Sequence, residues 1–220
     1  MATHMPAKTF AAALLLALSA SAAQPPLPEL RTEATDGGSA FIVRNVSSQP
    51  LTAYLIELVN YPGSAYSLWQ DEAASEPIPP GREKRIPVVN MTVGAVPDYV
   101  KLQAALYADG TSSGIPEKVA QFVERRRFSL ETIRELIRRL EKAQSAGTPK
   151  ADLIAGLKQW ADSIPPPTRT NRNTQTAINQ AAARTLITDT AARLDARSPD
   201  DTLAGLRASE RALAASKPAL

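Results

Sequence analysis

The spacing of a nucleophile motif occurs once in this sequence, at Gly110-Thr111-Ser112-Ser113-Gly114. This G-x-S-x-G falls between an expected strand and an expected helix, the setting in which a hydrolase elbow presents its serine. A serine hydroxyl needs a base to take its proton, and in that chemistry the base is an imidazole. The 220-residue chain has one histidine, His4, and no cysteine. His4 lies in a segment read below as a cleaved export signal, so no imidazole follows Ser112. Serine enzymes that use lysine as the base show S-x-x-K, a spacing no serine here has. Asp109-Gly110 is therefore expected to turn the chain off the last strand, and Gly114-Ile115-Pro116 to lead into a helix.

Without thiols or a retained histidine there is no cysteine nucleophile, disulfide framework or zinc site of the Cys/His kind. Carboxylates remain. Asp71-Glu72 lies near Trp69 and Tyr66, a grouping that could stack a sugar ring and protonate a glycosidic oxygen. Acidic residues in a proline-bounded loop are more often simply solvated. No D-x-[DN]-x-[DN]-G spacing of a calcium loop surrounds Asp36-Gly37-Gly38 or Asp98. The expectation is no catalytic residue, no metal ligand and no cofactor.

A third group is cationic. Arg125-Arg126-Arg127, Arg134, Arg138, Arg139 and Lys142 could face the phosphates of nucleic acid or anionic lipid. However, Glu124 precedes Arg127, Glu131 precedes Arg134, Glu135 precedes Arg138 and Arg139, and Glu141 follows Arg138, all three or four positions apart. Those are neighbours on one helix face, so a solvated, internally paired surface is expected rather than a nucleic-acid partner.

The N-terminus has the order of a secretory signal: Lys8, an apolar run from Phe10 to Leu18, small residues Ser19 to Ala23, then Gln24 and prolines 25, 26 and 28. The run of nine residues falls short of the roughly 20 that span a bilayer. Residues 1–23 are thus expected to be removed, with cleavage after Ala22 or after Ala23, leaving a soluble periplasmic or secreted protein without a transmembrane anchor. With no cysteine, such a protein takes its stability from core packing. Asn45-Val46-Ser47 and Asn90-Met91-Thr92 are glycosylation sequons if the host glycosylates.

The elements that position these groups divide at Ile115. Residues 24–115 carry six basic and ten acidic side chains, net −4, and all five tyrosines, whereas residues 116–220 carry 18 basic and 12 acidic, net +6. In the first half, Ala40–Val46 and Leu51–Val59 read as strands around a Ser47-Ser48-Gln49-Pro50 turn that suits a hairpin or a sandwich corner. Further strands are expected at Tyr66–Gln70, Arg82–Val89 and Tyr99–Ala108. In the last, Val100, Leu102, Ala104 and Leu106 share one parity, the mark of a half-buried antiparallel strand. Residues 24–39 read as a linker and 40–115 as a small β-sandwich of the immunoglobulin-like class.

In the second half, apolar residues from Val119 to Leu140 recur at helical spacing after Pro116. Residues 116–147 read as one amphipathic helix docked on or next to the sandwich, or as two with Ser129 as a cap. Residues 148–220 read as an alanine-rich helical tail, partly flexible, with little to bury. The predicted class is α+β by segregation: an antiparallel sandwich followed by an all-helical arm.

The stretch Phe41 to Ser47, with Pro50 to Tyr54 and Ala108-Asp109-Gly110-Thr111 leading into a helix, resembles uncharacterised exported bacterial proteins with an immunoglobulin-like sandwich, over about residues 40–140. The resemblance implies that fold and location and carries no assigned activity. The expected function is a non-catalytic binding or assembly module of the envelope or secreted space, partnered by another envelope or secreted protein, with homodimerisation through helix 116–147 also open. The alternative is a carbohydrate-active enzyme using Asp71 or Glu72.

Overall fold

A computed structural model describes residues 24–36, 38–61, 66–89 and 97–220. The signal segment and the Asn90 sequon lie outside them. Two antiparallel sheets come first, then four helices. Strands β1 (Glu29–Thr35), β2 (Gly38–Arg44) and β5 (Glu83–Val89) form one sheet in the order β1-β2-β5. Strands β3 (Leu51–Leu58), β4 (Ser67–Asp71), β6 (Val100–Tyr107) and β7 (Ser112–Gly114) form the other in the order β4-β3-β6-β7.

The sheets bury a shared core between them. Phe41 and Val43 of β2 and Val88 of β5 meet Tyr54 and Ile56 of β3 and Ala105 and Tyr107 of β6. Residues 47–50 therefore turn a sandwich corner between sheets, and no β2–β3 hairpin forms. Asn45 organises that corner from a fully buried position: its Nδ2 donates to the carbonyls of Gln49 (2.7 Å) and Ile78 (2.8 Å), and its Oδ1 accepts from the Ser47 amide (3.0 Å).

The expected linker 24–39 is corrected, because Glu29–Thr35 is an edge strand paired with β2 along its full length. Its only apolar side chains are Leu30, which packs on the sandwich core, and Ala34, so the pattern was too weak to read. Its outward residues join a charged ladder: Arg44 pairs with Glu29, Arg31 with Glu83, and Arg85 with Glu33.

The single-parity reading of β6 is also corrected. Leu55 pairs with Ala104 while Ile56 pairs with Leu102, so Gln103 is an extra residue, a bulge that switches faces. Before it, Val100 and Leu102 point into the sandwich; after it, Ala105 and Tyr107 do, and Ala104 and Leu106 face outward with Ala53 and Leu55 of β3. That outer face is apolar because it is covered. Helix α1 (Pro116–Ser145) lies on it, placing Phe122, Val119 and Val123 there.

Helix α1 is continuous through Phe128 and Ser129, so the second cap does not form. Pro116 starts it, and Gly147, at φ 63°, ends it in a Schellman motif with Gly147 N–H donating to Gln144 and Thr148 N–H to Ala143. Its second half, from Leu130 through Ile133 and Leu136 to Leu140, is the core of a helical layer completed by α2 (Lys150–Ser163), α3 (Gln175–Ala196) and α4 (Pro199–Ala214). The tail thus has much to bury: Leu157, Ile187, Leu194, Leu203, Leu206 and Leu213 share one core with Leu130 to Leu140 of α1. Alanines 182, 183 and 191 are buried too, their small side chains allowing close approach of helices. Thr174 and Ser198 cap α3 and α4 by accepting from the amides of Ala177 and Asp201. No helix among the described residues is long and apolar enough to cross a membrane.

Candidate functional site

Each chemical group offered by the sequence now has a place. Ser112 sits in edge strand β7 opposite Leu106, and among the described residues no histidine approaches it. Gly114, at φ 100°, ends that strand where a Cβ would stand 2.2 Å from the Gln103 carbonyl oxygen. The glycines of the G-x-S-x-G are thus spent on backbone: Gly110, at φ 93°, makes the turn and Gly114 lets the chain pass the β6 bulge.

The Asp71-Glu72 grouping is divided. Asp71 ends β4 and turns to α1, accepting from Arg126 Nε (2.9 Å, to Oδ2) and Nη2 (2.9 Å, to Oδ1). Glu72 is buried on the other side, accepting from Ser75 Oγ (2.7 Å) and pairing with Lys84 of β5. Trp69 packs edge-on against Phe122 under α1, at 4.8 Å between ring centroids, while Tyr66 packs edge-on against Phe41 in the sandwich core, at 6.1 Å. The two rings occupy opposite faces of the sheet and do not make one platform.

Arg126 is the residue that sequence reasoning misplaced. Its side chain is 0% exposed, against 13% for Asp71. Besides Asp71 it reaches the Lys217 carbonyl through Nη1 (3.0 Å) and Thr52 Oγ1 through Nη2 (3.5 Å), so one guanidinium joins β4, β3, α1 and the C-terminal segment. The signal was present in the spacing: Phe122, Arg126 and Leu130 stand four apart on the stripe that α1 buries. Two turns earlier, Lys118 Nζ meets Glu57 Oε1 of β3 at 2.9 Å. A pair of charged contacts therefore fixes α1 along the sheet.

Arg127, Arg134, Arg138 and Arg139 form the paired surface that was expected, with partners partly redistributed. Arg127 meets Glu124 (3.0 Å), and Arg138 and Arg139 both meet Glu135 (2.6 Å each). Arg134 and Glu141 instead reach across to α4, to Glu210 (3.0 Å) and Arg207 (2.7 Å). Bonding to Arg138, with Arg139 adding to it, holds the Glu135 carboxyl down at about 2. Arg139 also lies 4.1 Å over the Trp160 ring of α2.

One concavity lies where the sandwich meets the helical layer. It has a volume of about 250 Å³ and is bounded by Asp71, Arg125, Ser129 and Ile133, with Leu186 of α3 and Leu206 of α4 opposite. A second cavity of about 280 Å³ continues past Arg125 toward Trp69, Arg172 and Pro167. Burial lowers the Arg125 pKa, which Asp71 partly restores and Arg126 lowers further. Among the described residues no three histidine, cysteine, aspartate or glutamate side chains converge as a metal cage would. The chain matches no protein-family model, no curated protein and no solved structure.

Proposed function

We propose that the chain is an exported, non-catalytic binding or assembly module of the cell envelope or secreted space, built on an immunoglobulin-like sandwich with a helical cap. The observation that carries this reading is the fate of Asp71 and Glu72, the carboxylates best suited by sequence to acid catalysis. One accepts both of its strong bonds from Arg126 and the other pairs with Lys84, so both act as fasteners. Among the described residues Ser112 has no base beside it, and Arg127, Arg134, Arg138 and Arg139 answer to carboxylates of the same chain, which disfavours a nucleic-acid partner. The strand order β1-β2-β5 against β4-β3-β6-β7 corresponds to A-B-E facing C′-C-F-G, which supports the immunoglobulin-like assignment. Export rests on the order of charged, apolar and small residues from Lys8 to Ala23.

The partner is another envelope or secreted protein. The stripe that suggested homodimerisation through residues 116–147 is covered within the chain, by the sandwich at Phe122 and by α2 to α4 from Leu130 onward. Pull-down with the mature chain from envelope extract is expected to recover one specific protein repeatedly, and recovery of none at micromolar bait overturns the proposal. Turnover of a glycan panel that is abolished by Asp71→Asn or Glu72→Gln, in proteins that still fold, would establish the enzymatic alternative instead.

A further inference from the structure

Arg125 and Arg126 are consecutive on α1, and only Arg126 pairs with the nearby Asp71 carboxylate. Asp71 commits both of its oxygens to Arg126. Arg125 makes no hydrogen bond or ion pair among the described residues, although its side chain is only partly exposed and it borders both cavities at the junction of sandwich and helices. Partly buried charges are normally paired, and one without a partner calls for an explanation.

Few other charges face this junction. On the rim of the first cavity Asp189 and Arg193, both exposed on α3, offset each other, and Arg172 adds a further cation beside the second. With Asp71 cancelling Arg126, the pocket keeps about one positive charge, at Arg125. The rest of its wall is mixed. Ser129 and Ser209 offer hydroxyls, while Ile133, Leu186, Leu206 and Leu213 form an apolar side.

We propose that this pocket binds a small organic acid, its carboxylate against the Arg125 guanidinium and its hydrocarbon body against Leu186, Leu206 and Leu213. A carboxylate matches the planar fork of an arginine and carries the single negative charge the pocket lacks. Inorganic phosphate, with more than one charge at neutral pH and no apolar portion, would leave the leucine side unused. At about 250 Å³ the cavity lies just below the usual range of ligand pockets, which sets the class at short aliphatic or single-ring acids. The site goes beyond the module function proposed above and stands whether or not a protein partner is found.

Isothermal titration of the full mature chain with hexanoate, benzoate and inorganic phosphate tests it. Saturable binding of at least one of the two acids, tighter than phosphate, is expected, with a loss of roughly tenfold or more in affinity for Arg125→Met. A melting curve accompanies each protein: removing an unpaired, partly buried charge should leave stability equal or higher, which loss of a structural contact would not. Should Arg125→Met fail to fold, Ser209→Trp fills the cavity with Arg125 retained and is expected to block the acid. No saturable binding of either acid at millimolar concentration, binding of phosphate tighter than of both, or undiminished acid binding by folded Arg125→Met, or by Ser209→Trp where that variant stands in, overturns the proposal.

Discussion

Arg126 Nε and Nη2 each stand 2.9 Å from an oxygen of Asp71, a two-point pair between a helix and the end of an edge strand, with the guanidinium wholly out of solvent. Such a pair contributes little net stability relative to apolar residues of the same volume, but losing one partner strands a charge. Asp71→Ala is therefore expected to lower the unfolding free energy by about 3–5 kcal/mol. Arg126→Met combined with Asp71→Leu is expected to recover most of that. Urea unfolding followed by Trp69 and Trp160 fluorescence measures both, and a single variant as stable as the parent would contradict the fastening role.

Asn45 satisfies two carbonyls and one amide at the β2–β3 corner from a position with no solvent access. Asn45→Ala leaves those buried groups unmatched and is expected to cost about 1–3 kcal/mol. For the same reason the folded chain does not offer Asn45 for glycosylation, so expression in a glycosylating host is expected to leave that residue unmodified by mass spectrometry.

Gly114 and Gly81 both have positive φ, 100° and 73°, yet only Gly114 has backbone in the place of a Cβ, with nothing within 4 Å of one at Gly81. Gly81→Ala is expected to cost about 1 kcal/mol of backbone strain. Gly114→Ala must also push β7 off the β6 bulge, so its melting temperature should fall well below that of Gly81→Ala.

Glu135, held at about 2 by Arg138 and Arg139, is charged in the folded chain far below the usual carboxylate range. A depressed folded-state pKa contributes stability above the unfolded value of roughly 4.3, and that contribution fades as pH falls toward about 2. Both arginines are exposed and Glu135 is partly so, and solvent screening keeps the effect modest. Glu135→Gln is expected to be less stable than the parent by about 0.3–1 kcal/mol at neutral pH, with the difference closing by pH 2 in paired denaturation curves.

Elements with a strong internal period were legible in the chain. Phe41 to Val43, Leu51 to Leu58 and the stripe from Val119 to Leu140 each carry enough apolar residues to place β2, β3 and α1 within a residue or two. Strand β1 was not, because this edge strand packs one apolar side chain, the partly buried Leu30, on the core, and its charges Glu29, Arg31 and Glu33 answer to β2 and β5. The fate of the tail was hidden for a different reason: Ile187 and Leu206 join a core shared with α1, tens of residues away, and a thin stripe shows nothing of what faces it. Arg126 was grouped with Arg125 and Arg127 as surface charge because its neighbours in sequence are polar. Its neighbours in space, four residues away on either side, are Phe122 and Leu130.

The same burial decides whether the sandwich is an independent unit. Ala53, Leu55, Ala104 and Leu106 are fully buried on the outer face of the second sheet, and what covers them is Phe122 and its neighbours on α1. A protein ending at residue 115 would expose that apolar face together with the unpaired Glu57 and Asp71, whose cations Lys118 and Arg126 lie on the missing helix. Exposed apolar faces of this kind drive association. Residues 24–115 alone are expected to be insoluble or to aggregate on light scattering, whereas the full mature chain gives a single cooperative unfolding transition. A soluble, monomeric 24–115 fragment with a sharp melting transition would mean that the helix is an accessory rather than part of the sandwich's own core.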